Sequence, residues 1–133
     1  MGLLQNGKWV DQWYDTNKTK GHFKRSVSQF RDRISENDET FPAEKNRYHL
    51  YISYACPWAH RTLIFRKIKG LEKMISFSSV HWFMGDQGWT FASSPGQVDE
   101  INGRRFLHEI YTQVEGEYSG RVSVPVLWDK KTN

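Results

Sequence analysis

The stretch Tyr48-His-Leu-Tyr-Ile-Ser-Tyr-Ala-Cys-Pro-Trp-Ala-His-Arg-Thr-Leu-Ile reads as a strand, a short turn and the start of a helix. Cys56 stands at the junction and is the chain's single cysteine. Pro57 follows it, and proline is favoured at the first helical position because its missing N–H is one the helix cannot use. Cys56 is thereby expected to cap the helix, facing its free N–H groups and the positive end of its dipole. Such a setting favours a thiolate. An isolated cysteine is more often a small buried hydrophobe, but this position favours a reactive thiol.

The rest of the chain extends the pattern. Pro57 to Lys69 carries Ala59, Leu63, Ile64 and Ile68 near helical spacing, with Lys67, Lys69 and Gly70 as a basic end and a glycine stop. Ile75 to Val80 reads as a second strand, completing a β-α-β unit expected to be parallel. His81 to Gly96 is a long aromatic loop. Asp99 to Val114 contains a second helix, with Ile101, Phe106, Leu107, Ile110 and Tyr111 as its apolar set. Val122 to Asp129 is a third strand, interrupted by Pro125. Residues 1–46 are polar, and read as an irregular extension wrapped over the body. Within them Ser28 to Ile34 has a weak helical pattern, and Phe23, Phe30 and Phe41 are placed to pin it down. Phe41-Pro42 marks the boundary, since a residue before proline avoids the helical region.

Several segments together resemble the glutathionyl-hydroquinone reductases, the Xi class of glutathione transferases. Tyr51 to Leu63 is similar to that family's active-site stretch. Gly88-Trp89-Thr90-Phe91 resembles its glutathione-stacking tryptophan segment, and Tyr118 to Lys131 its Val-Pro segment. Gly7-Lys-Trp-Val and Gly21-His-Phe-Lys-Arg resemble its N-terminal extension. The resemblance implies an α/β, thioredoxin-like domain over 47–133, with Pro125 in cis and the Val124 backbone opposite the thiol. It implies Cys56 as the catalytic residue and a mixed disulfide with glutathione, the co-substrate; no bound cofactor is expected. Ala59 stands where a redox dithiol would have its second cysteine, which favours the monothiol route. Trp89 is implied to stack on glutathione, Arg121 to meet one of its carboxylates, and Val124, next to Pro125, to pair with its cysteinyl backbone. Packing is the ordinary role of a tryptophan, and a solvated surface that of an arginine such as Arg121 or Arg105. Trp58 and Trp128 are assigned to packing. The resemblance further implies a homodimer in full-length form and a large C-terminal helical domain. A thioredoxin-like unit also calls for one more strand and a final helix beyond Asn133, so the chain reads as truncated and its last strand as an open edge.

Composition narrows the alternatives. A hydrophobic fraction of 38% with six Trp, six Tyr and eight Phe argues for a packed core. The lone cysteine excludes an internal disulfide framework and suits a reducing cytoplasm. No apolar run approaches the ~20 residues of a membrane helix, so no membrane partner is expected. The net charge of +4 suits an anionic small molecule. Its dispersal among acidic residues, as in Arg31-Asp-Arg-Ile-Ser-Glu-Asn-Asp-Glu, argues against nucleic acid. The histidines show no metal-ligand spacing, and His60, four residues after Cys56, is carried a turn away from it. A non-catalytic binding or scaffold domain of the same fold remains the alternative to the enzyme.

Overall fold

The computed structural model describes residues 2–12, 20, 22, 27–92 and 96–133. In order they form β1 (Leu3–Gln5), β2 (Lys8–Val10), β3 (Tyr48–Ile52), α1 (Pro57–Ile68), β4 (Ser76–Ser79), α2 (Leu107–Val114), β5 (Gly120–Arg121) and β6 (Val126–Asp129). Two three-stranded sheets result, ordered β4-β3-β6 and β2-β1-β5. β3 is central, parallel to β4 and antiparallel to β6. Being flanked on both edges, it is buried at all five positions, which explains why it is apolar or aromatic on both faces. The buried cluster gathers Tyr51 and Ile52 of β3, Ala59 of α1, Leu107 and Ile110 of α2, and Val122 and Val124 before β6. Among the described residues β6 pairs only with β3.

Helix α1 starts at Pro57 and ends in the basic turn of Arg66 and Lys67. Gly70, at φ +64°, lets the chain leave, and the Leu71 N–H returns to the Arg66 carbonyl at 2.9 Å. Its apolar stripe is narrower than its sequence suggests. Ala59 and Leu63, one turn apart, face the core, whereas Ile64, Phe65 and Ile68 are exposed.

The second helix is shorter than the Asp99–Val114 segment that contains it. Residues 99–104 instead turn around the buried Asp99 carboxylate. It accepts the backbone N–H groups of Ile101, Asn102 and Arg104 at 3.2, 3.1 and 2.9 Å and the Tyr51 hydroxyl at 2.7 Å. Glu109 then reaches back from the first turn of α2 to the Arg105 and Phe106 N–H groups, each at 2.9 Å. The third strand also begins later than expected, at Val126, while Gly120–Arg121 joins the other sheet.

The N-terminal segment holds more regular structure than its composition suggests. Asn6 and Gly7, both at positive φ (47° and 72°), form the tight turn of a β1–β2 hairpin. Leu4 is fully buried in the main core, and β1 pairs with β5. The helix expected over Ser28–Ile34 is not formed. This short polar stretch makes a marginal helix in isolation, and Phe30 instead stacks on Tyr118 at 5.4 Å, while Gln29 donates to the Ser119 carbonyl at 2.7 Å. Phe23 lies outside the described residues. Arg47 closes the segment: its Nε donates to Asp129 at 2.8 Å, with a second bond from the guanidinium to the Thr40 carbonyl at 2.6 Å. That pairing holds the Asp129 carboxyl well below the usual carboxylate range.

Candidate active site

The turn that delivers Cys56 is built by Ser53. Its carbonyl accepts the Cys56 N–H at 3.1 Å and its hydroxyl accepts the Ala55 N–H at 3.2 Å. Cys56 is extended (φ −104°, ψ 113°) and occupies the N-cap position directly before Pro57. Its own carbonyl accepts the first helical bond, from His60 N–H at 3.0 Å. The thiol makes no capping bond to the helix. It is half-buried and donates to the Val124 carbonyl, with Sγ 3.6 Å from the oxygen. The Val124–Pro125 bond is cis, as the family resemblance implied, and the Val124 backbone does lie opposite the sulfur. No acidic residue occupies the first turn of α1, so nothing there opposes a negative charge at the helix start.

The remaining expected residues surround this pair unevenly. Arg121 is half-buried on β5 and lines, with Pro125, a cleft of about 630 Å³. Phe30, Trp58, Tyr111 and Tyr118 also line it; Cys56 and Trp89 do not. Trp89 is partly buried against the core cluster that Cys56 also touches, and its carbonyl accepts the Leu107 N–H at 2.9 Å. Arg105 is exposed and lies over the Phe106 ring at 5.4 Å.

Trp58 departs from its packing assignment. It is 61% exposed, two residues beyond the sulfur, and its ring carries the Arg61 guanidinium at 4.9 Å. The clue lies in the helical phase: with Ala59 directed into the core, its neighbour Trp58 is turned outward. Trp128 is buried, as expected. His60 is exposed. His49 is fixed between the Ser76 and Ser78 hydroxyls at 2.7 and 3.1 Å. Among the described residues no group of three His, Cys, Asp or Glu side chains converges as a metal site, and no helix is long and apolar enough to cross a membrane.

A strand and turn ending in a lone cysteine at a helix start, opposite a residue preceding a cis proline, can be compared with known proteins. The family described as glutathione S-transferase, N-terminal domain, matches residues 55–133. The chain belongs to the glutathione S-transferase family. A glutathionyl-hydroquinone reductase of Sphingobium chlorophenolicum, PcpF, is 51% identical over 131 residues, which are 98% of this chain and 41% of that protein. The Xi-class glutathione transferase of Natrialba magadii superposes with a TM-score of 0.84 at 36% identity, over 98% of this chain and 39% of that one. The glutathione-bound structure of YqjG, a glutathione transferase homolog of Escherichia coli, gives 0.75 at 44% identity, over 98% of this chain and 39% of that one. The chain thus spans about two fifths of the length of the relatives it matches, and its fold is the thioredoxin-like N-terminal domain of a glutathione transferase.

Proposed function

We propose that this chain carries the glutathione site and the reactive thiol of a glutathionyl-hydroquinone reductase. The observation that carries the reading is the placement of Cys56 Sγ at the start of α1, 3.6 Å from the Val124 carbonyl beside a cis proline. A relative named for this activity, 51% identical over nearly the whole chain, supports the enzyme over a non-catalytic scaffold.

The proposed reaction needs one sulfur from the protein. The Cys56 thiolate attacks the sulfur of the glutathionyl-hydroquinone. The bond between that sulfur and the ring carbon breaks, the carbon takes a proton, and hydroquinone leaves. Cys56 is then joined to glutathione in a mixed disulfide. A second glutathione thiolate attacks the glutathione sulfur of this disulfide, releasing oxidised glutathione and regenerating the Cys56 thiolate. The two electrons gained by the ring come from the two glutathione sulfurs, so no bound cofactor enters. Val124 offers its backbone to the cysteinyl part of glutathione, next to Pro125, Arg121 pairs with a carboxylate, and Trp89 packs on the peptide. The active protein is proposed to be a cytoplasmic homodimer.

Mass spectrometry tests the covalent step. Incubation with a glutathionyl-hydroquinone, without free glutathione, should leave one glutathione on Cys56, reversed by a thiol reductant. In Cys56→Ser the adduct and the deglutathionylation should both disappear. Undiminished turnover by Cys56→Ser would overturn the reading.

A further inference from the structure

The N-terminal hairpin touches two of the segments assigned to glutathione above. On one side β1 pairs with β5, where Leu3 faces Arg121 and Leu4 faces Gly120. On the other, Trp9 of β2 meets the turn that precedes Trp89. Its indole Nε1–H donates to the Asp86 carbonyl at 2.7 Å. Its ring lies so close to Gly88 that a Cβ there would stand 2.6 Å from the Trp9 Cη2 atom. Gly88 is at φ +71°, so its backbone shape and the indole both demand glycine. The Trp9 ring also stacks on His108 with ring centres 4.9 Å apart and planes 16° from parallel. His108 in turn stacks on Phe106 at 5.2 Å.

These contacts enclose the short segment that carries Trp89. Residues 86–88 are held by the indole. Residues 89–91 are held by the start of α2, where Leu107 N–H donates to the Trp89 carbonyl and Phe91 N–H donates to the Arg105 carbonyl, each at 2.9 Å. Trp9 joins the two clamps, because the ring it stacks on, His108, belongs to α2. The base of the loop is closed by His81 N–H on the Thr90 carbonyl at 2.7 Å and the turn by Gly88 N–H on the Gly85 carbonyl at 3.0 Å; the indole adds the tie from the turn to the hairpin and, through His108, to α2.

We propose that Trp9 is a positioning residue for glutathione: through the Asp86 carbonyl and the bare Gly88 backbone it holds the loop that aims Trp89. The proposal rests on the assignment of Trp89 to glutathione made above. Trp9 itself touches no substrate, so its effect must pass through Trp89. A tryptophan that merely stabilised the fold would change stability and leave affinity of the folded protein alone.

A double-mutant cycle on the full chain, read by glutathione calorimetry, separates these cases. Trp9→Phe keeps an aromatic ring for His108 and removes the N–H donor, so it spares the fold where Trp9→Ala risks it. It should weaken glutathione binding about threefold to tenfold, the range of one lost hydrogen bond. Trp89→Ala should weaken binding at least as much. In the Trp89→Ala background, Trp9→Phe should add less than about a twofold further loss, since the residue it acts through is gone. Fully additive losses would overturn the positioning role. So would an unchanged affinity in Trp9→Phe when Trp89→Ala binds weakly, an outcome that leaves the proposed function standing. Unchanged affinity in Trp89→Ala would remove the glutathione role of Trp89 and this proposal with it.

Discussion

Lowering the pH from 7.5 to 5 should destabilise this protein, chiefly through His49. His49 is 2% exposed in the central strand. Nδ1 and Nε2 each meet a serine hydroxyl, at 2.7 and 3.1 Å, and a neutral imidazole satisfies both by donating to one and accepting from the other. Burial pushes its pKa down from 6.5 to about 4, against the opposing pull of Asp99, with Lys130 and Arg66 adding to the depression. Well above pH 6.5 the ring is neutral whether the chain is folded or unfolded, and nothing is lost. Below it the unfolded chain gains a proton that the folded one refuses, so stability falls until the folded ring titrates as well. At about 1.4 kcal/mol per pKa unit, the full effect is about 3 kcal/mol, of which about 2 kcal/mol is lost between pH 7.5 and 5. His108, also lowered by burial, adds a loss of the same sign, so a comparison is needed. Urea unfolding of the native chain and of His49→Gln, at both pH values and fixed salt, isolates the term. The variant should start less stable and lose about 2 kcal/mol less over the interval. Equal losses in the two proteins would refute the argument that burial holds His49 neutral.

Leu4→Ala should lower unfolding stability by about 2–5 kcal/mol in urea titration, because Leu4 is fully buried although it lies in the N-terminal hairpin. Tyr51→Phe should cost about 1–3 kcal/mol in the same assay, since it removes the 2.7 Å bond to Asp99 and the acceptor for Asn102 Nδ2 at 3.0 Å. Arg121→Gln should weaken glutathione binding about tenfold or more by calorimetry if its guanidinium meets a carboxylate, the size of a lost charged hydrogen bond.

What the sequence by itself determined is local. Tyr48–Ile52, Pro57–Ile68 and Ser76–Ser79 lie where their apolar runs, Pro57 and Gly70 put them, because strand propensity and helix stop signals act within a few residues. Cys56 at the helix start followed from the same signals. The β1–β2 hairpin corrects the reading of residues 1–46 as irregular; its turn signal, Asn6-Gly7, was visible in the sequence but passed over. The hairpin's destination was not visible there. That β1 pairs with Arg121 and that Trp9 reaches Asp86 depend on contacts across most of the chain. Ser28–Ile34 shows the converse: a faint helical period lost to the stacking of Phe30 on Tyr118, far along the sequence. Ile64, Ile68 and Trp58 show that a helix's period tells which residues share a face but not which face is covered. Tertiary structure decides those matters because the energy of a buried face depends on the partner that removes it from water, and that partner is named nowhere in the local sequence.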